Sequence, residues 1–87
     1  MSKKVKMFVL RGCPYCDRAF EMMNSLKEKH PDYASVDIDI IEEREQAEKT
    51  KGYDFWYVPT YFVDDVKMLE GVPTMQAVEA VYIEALK

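Results

Sequence analysis

Leu10-Arg11-Gly12-Cys13-Pro14-Tyr15-Cys16 is the stretch on which the reading of this chain turns. It holds both cysteines of an 87-residue sequence, two positions apart. That spacing lets a disulfide open and close within one turn of chain. The run before it, Val5 to Leu10, is β-branched, aromatic and nearly continuous in apolar character, which suits a strand buried on both faces. Gly12 gives the chain backbone freedom just before the first cysteine. Pro14 suits a first helical turn, where its missing N–H has no intrahelical partner to lose. A helix is therefore expected from Pro14 to Lys29, with Ala19, Phe20, Met22, Met23 and Leu26 as its apolar stripe. His30, Pro31 and Asp32 end it, because Pro31 biases His30 away from helical angles.

Size and composition bound what surrounds this turn. Eighty-seven residues, 48% of them hydrophobic, make one domain, residues 1–87, with one core. A net charge of −4 argues against a nucleic-acid binder, which would carry a basic patch. The apolar run that follows Lys3 and Lys4 stops at Leu10, too short for a membrane span and without a cleavage pattern. The expectation is an intracellular, cytoplasmic monomer. Two cysteines cannot form the disulfide framework of a small secreted domain, and in a reducing compartment a close pair reads as catalytic or metal-binding. A zinc site takes four ligands, and the chain offers two cysteines and one histidine. No metal site is expected, and His30 reads as a surface residue.

Downstream, Tyr33 to Ile40 is expected to hold a second strand, centred on Ala34–Ile38, with Asp37 and Asp39 alternating against Ile38 and Ile40. Ile41 to Lys51 reads as a charged, solvated helix with Glu45 and Lys49 as an i, i+4 pair and Gly52 after its end. Tyr53 to Tyr57 is an aromatic loop whose Phe55, Trp56 and Tyr57 suit either half-buried packing or an exposed docking rim. Thr60–Val63 and Val66–Leu69 are strands joined by Asp64-Asp65, a hairpin signal. Gly71 breaks the chain, and a last helix runs from Pro73 or Thr74 to Leu86. The order is β-α-β-α-β-β-α, with a parallel first pair, an antiparallel hairpin and helices on both faces of one mixed sheet.

A Cys-Pro-Tyr-Cys turn after the first strand, Val58-Pro59-Thr60 before the third, and this element order together resemble the glutaredoxins, within the thioredoxin fold. The resemblance spans nearly the whole chain. It implies an α/β, thioredoxin-like domain with a four-stranded sheet of order 2-1-3-4 flanked by three helices, and a cis bond before Pro59. It implies a thiol–disulfide oxidoreductase working in electron transport and cell redox homeostasis through a Cys13–Cys16 redox-active disulfide. Its reduction potential would lie at about −200 to −230 mV. Cys13, at the helix start, is assigned as nucleophile, since unpaired N–H groups and the helix dipole favour a thiolate there. Cys16, one turn on, faces inward as the resolving thiol. Arg11 adds a nearby cation, Gly12 and Pro14 shape the turn, and Tyr15 offers an aromatic surface beside the sulfur. Tyr57, Val58 and Pro59 would bind the substrate thiol, with the Val58 N–H and C=O aimed at an extended peptide. The alternative within the same fold is an iron–sulfur cluster carrier, needing thiols from outside the chain, or a redox-sensing adaptor without turnover.

The chain departs from the glutathione-dependent pattern in three places. The basic residue is Arg11 rather than one at Leu10. Tyr57-Val58-Pro59 stands for Thr-Val-Pro. Glu70-Gly71-Val72-Pro73-Thr74 stands for Gly-Gly-x-x-Asp, so Gly71, Val72 and Thr74 are the thiol-binding candidates. Glu70 adds negative charge, and Pro73 removes an N–H donor. The expectation is a dithiol reductase of protein disulfides with no bound cofactor. Its electrons would come from a thioredoxin-reductase-type enzyme or a low-molecular-weight thiol, glutathione included.

Overall fold

A computed structural model describes residues 2–87. Four strands form one sheet in the order β2-β1-β3-β4. They are β1 (Val5–Val9), β2 (Ile38–Glu42), β3 (Thr60–Val63) and β4 (Val66–Glu70). β1 runs parallel to β2 and antiparallel to β3, and β3 runs antiparallel to β4. The expected mixed sheet of order 2-1-3-4 is the one observed. Asp64 and Asp65 both take positive φ, 47° and 67°, the conformation a two-residue hairpin turn needs. The Lys4 N–H donates to the Asp64 carboxylate, and Lys4 C=O accepts from the Asp64 N–H, which ties the hairpin to β1. Among the described residues no helix is long and apolar enough to cross a membrane.

α1 spans Pro14–Lys29, as its proline start and apolar stripe predict, and α2 spans Met75–Ala85. Alternation along the strands divides the core. Val5, Met7 and Val9 of β1, with Tyr61 and Val63 of β3, face both helices and pack against Ala19, Met23, Leu26, Val78, Val81 and Tyr82. Phe8, Ile41 and Phe62 face the other way and form a second, smaller cluster.

Two sequence expectations fail in the middle of the chain. Residues Pro31–Ser35 form a 3-10 turn rather than the start of a strand, because Tyr33 turns inward and stacks on Tyr82, with ring centroids 4.9 Å apart. The strand lies later and continues through Ile41, which is buried and pairs with Phe8. The charged helix over Ile41–Lys51 is absent. Ile41 and Glu42 belong to β2, and only a short 3-10 turn, Ala47–Thr50, follows. Residues 43–51 offer no apolar stripe for a helix to bury. The Glu42 carboxylate also accepts from the backbone N–H groups of Arg11, Arg44 and Glu45, which closes the chain into a turn at once.

The result is two α-helices on one face of the sheet instead of three distributed over both. The opposite face is covered by the aromatic loop. Phe55 stacks on Phe8 at 4.7 Å, and Tyr53 lies 5.0 Å from Phe62 and 5.1 Å from Phe8. The Tyr53 hydroxyl donates to Asp65 and accepts from Lys6, so the cover is pinned by polar contacts at its edge.

Candidate active site

Gly12, at φ +85°, lets the chain leave β1 and enter α1 within four residues. Cys13 is the N-cap of α1, in extended conformation, and Pro14 follows inside the first turn. The Cys13 carbonyl accepts from the N–H groups of Cys16 and Asp17 at 3.1 and 3.2 Å, so the helix begins at this cysteine. The Cys13 side chain is partly open to solvent, whereas Cys16 is 2% exposed and packs within the helix-side core. Both are free thiols. Burial pushes the Cys16 thiol up to about 12. Cys13 and Asp17 beside it act in the same direction, while the Leu10 backbone works against them. One turn of helix thus separates an accessible sulfur from one held protonated.

The second wall of the site comes from residues 56–60. The Val58–Pro59 peptide is cis. The Val58 carbonyl lies 3.9 Å from Cys13 Sγ. Thr60, fully buried, donates its hydroxyl to the Tyr57 carbonyl, and the Pro59 carbonyl accepts from Gly71 N–H at 2.9 Å. Glu70, the last residue of β4, turns its carboxylate back onto this loop. One oxygen accepts from the N–H groups of Trp56 and Tyr57, and the other meets Lys67 Nζ at 2.9 Å. Lys67 first, and then the two amides, hold the Glu70 carboxyl down to about 2. The charge that the sequence sets beside the cleft is thus matched by three donors.

Cys13, Cys16, Tyr15, Val58 and Pro59 come together, as their placement in the chain predicts. Tyr15, Tyr57, Val58, Glu70, Gly71 and Val72 line a shallow cleft of about 430 Å³. Arg11 and Thr74 are engaged elsewhere. The Arg11 guanidinium pairs with Glu45 at 2.5 Å. The Thr74 hydroxyl accepts from Ala77 N–H at 3.1 Å and so caps α2. The aromatic loop divides the two roles open to it: Phe55 is half-buried on Phe8, while Trp56 and Tyr57 are 85% and 71% exposed. Sequence reasoning missed the clamp made by Glu70. Its two amide partners lie 13 and 14 residues earlier, and no local pattern marks that contact. Among the described residues, no three His, Cys, Asp or Glu side chains converge as a metal site would require.

A thioredoxin-domain family model matches residues 3–82. The chain belongs to the thioredoxin family. A thioredoxin from Methanocaldococcus jannaschii is 32% identical over 89 aligned positions, covering 100% of this chain and 96% of that protein. A glutaredoxin from Vibrio cholerae is 39% identical over 64 positions, covering 70% of this chain and 74% of that protein. A solved structure described as a malarial protein superimposes over the full length of both chains with a TM-score of 0.71 at 11% identity, a likeness of fold. Relatives under both names bear out the sequence resemblance at the level of a thioredoxin-fold redox family. At that level the chemistry is thiol–disulfide exchange.

Proposed function

We propose that this protein is a dithiol disulfide reductase in which Cys13 attacks and Cys16 resolves. The observation that carries the reading is the contrast between the two sulfurs. Cys13 is accessible at the start of α1, 3.9 Å from the Val58 carbonyl, and Cys16 is buried one turn behind it. The Cys13 thiolate attacks one sulfur of a substrate disulfide, that bond breaks, and the first substrate thiolate leaves. The product is a mixed disulfide between Cys13 and the remaining substrate half. Cys16 then loses its proton and attacks Cys13 Sγ. The second substrate thiolate leaves, and the Cys13–Cys16 disulfide holds the two electrons' worth of oxidation. A reductase dithiol or a small thiol returns the pair to two thiols by the reverse exchange.

For the electron donor, the residues favour a thioredoxin-reductase-type protein dithiol over glutathione. Glutathione brings two carboxylates. Pro73 has no N–H to give, the Thr74 hydroxyl is engaged in capping α2, and Lys67 is engaged by Glu70. The test is reduction of insulin and of bis(2-hydroxyethyl) disulfide by wild type, Cys13→Ser and Cys16→Ser. Wild type turns over, Cys13→Ser is dead, and Cys16→Ser stops at a mixed disulfide detectable by mass. A Cys13→Ser protein that forms the mixed disulfide through Cys16 reverses the assignment. A titration with millimolar glutathione, read at Tyr15, Val58 and Gly71, tests the donor.

A further inference from the structure

We propose that the cleft beside Cys13 selects disulfides whose cysteine lies in an extended segment next to a bulky apolar side chain. The inference rests on the reductase reading above and names its substrate class. Three features set the occupant. The reactive sulfur at the cleft's inner end requires a disulfide. The main chain offers one place for an extended segment to pair. Trp56 and Tyr57 N–H are taken by Glu70, and Pro59 has no N–H, which leaves the N–H and C=O of Val58.

The walls supply the third feature. Nine large hydrophobic side chains stand exposed among the described residues, and three of them, Tyr15, Tyr57 and Val72, line this cleft. Trp56, the most exposed of the nine, adjoins it in the chain. Tyr57 also stands against Gly71: a Cβ added at Gly71 would lie 3.9 Å from Tyr57 Cβ, so the absence of a side chain there keeps the floor open. Aromatic and branched walls of this kind gain from covering an aromatic or aliphatic neighbour. They offer nothing to a charge. The ionised wall residue, Glu70, is already matched by two amides and Lys67, and no cation lines the cleft. A carboxylate placed there would lose water without gaining a partner.

The test uses short disulfide-linked peptides identical except at the residue before cysteine, which is Phe, Ser or Asp. Reduction is followed in a single turnover with the pre-reduced protein, so no electron donor enters. The Phe peptide should react about tenfold faster than the Ser peptide at subsaturating concentration, a typical span for an apolar contact, and the Asp peptide slowest. The readout is the Phe/Ser ratio within each protein. In Val72→Ser and Tyr57→Ser that ratio should fall toward one. A ratio near one in wild type that still reduces bis(2-hydroxyethyl) disulfide overturns the inference and leaves the reductase reading standing. Failure of wild type on bis(2-hydroxyethyl) disulfide as well overturns the reductase reading itself. A high ratio that survives both substitutions places selection outside this cleft and also overturns the inference.

Discussion

Removing the outer cysteine isolates the inner one and makes its burial measurable. In Cys13→Ser the remaining thiol is Cys16, whose titration is pushed from 9.0 to about 12, chiefly by burial. Burial does not depend on Cys13, so most of the shift should persist. At about pH 8 a thiol titrating at 9.0 is roughly 9% thiolate, and one at about 12 is roughly 0.01%, a loss of about a thousandfold in reactive form. A more basic thiolate is the better nucleophile, with a Brønsted slope of about 0.4–0.5, which returns roughly 16- to 30-fold over three units. The net expectation is alkylation by iodoacetamide roughly 30- to 60-fold slower than for a free model thiol, before counting access to a sulfur that is 2% exposed. The rate should also climb about tenfold per pH unit to at least pH 10 without a plateau. The reciprocal Cys16→Ser protein, with Cys13 alone, should alkylate faster. If Cys13→Ser alkylates within about threefold of the model thiol, or levels off below about pH 9, Cys16 is not held protonated by its surroundings and the division of labour between the sulfurs fails.

Three further outcomes follow from the packing. Phe55→Ala removes a half-buried ring stacked on Phe8 and should cost about 2 kcal/mol, whereas Trp56→Ala, 85% exposed, should stay within about 0.5 kcal/mol. In thermal melts the first should lower Tm by about 8–16 °C, and equal shifts for the two would contradict the loop's role as sheet cover. Glu70 titrates lower in the folded chain, at about 2, than its ordinary 4.5. Its contribution to stability is therefore complete above 4.5 and is lost as pH falls toward 2. Glu70→Gln should flatten that part of the acid-unfolding profile, and an unchanged profile would refute the clamp. Thr74→Ala removes the α2 cap and should cost about 1 kcal/mol in denaturant melts, with Thr74→Ser close to wild type.

The parts of the fold that were legible in the sequence are those specified locally. Pro14 and the apolar stripe after it mark α1 from start to end, and the Asp64-Asp65 pair marks the hairpin. The middle of the chain is specified by distant partners. Residues 43–51 have helix-forming composition but no core to face, and the Glu42 carboxylate instead binds three backbone N–H groups. Tyr33 has strand propensity, yet its ring is claimed by Tyr82, 49 residues later. The site divides along the same line. Cys13, Cys16, Val58 and Pro59 are announced by motif and order. The engagement of Arg11 by Glu45, of Thr74 by the α2 cap, and of Glu70 by the 56–57 amides depends on side-chain reach across elements, which spacing does not encode.

Residues 53–58 shield Phe8 and Phe62 on one side and present the Val58 carbonyl to Cys13 on the other. Local breathing of this segment would strip the far face of the sheet and dissolve the substrate platform in the same event. Amide exchange in β1 and β3 and catalytic competence therefore share one opening equilibrium, and a substrate bound along Val58 slows exchange on the face of the sheet it never touches.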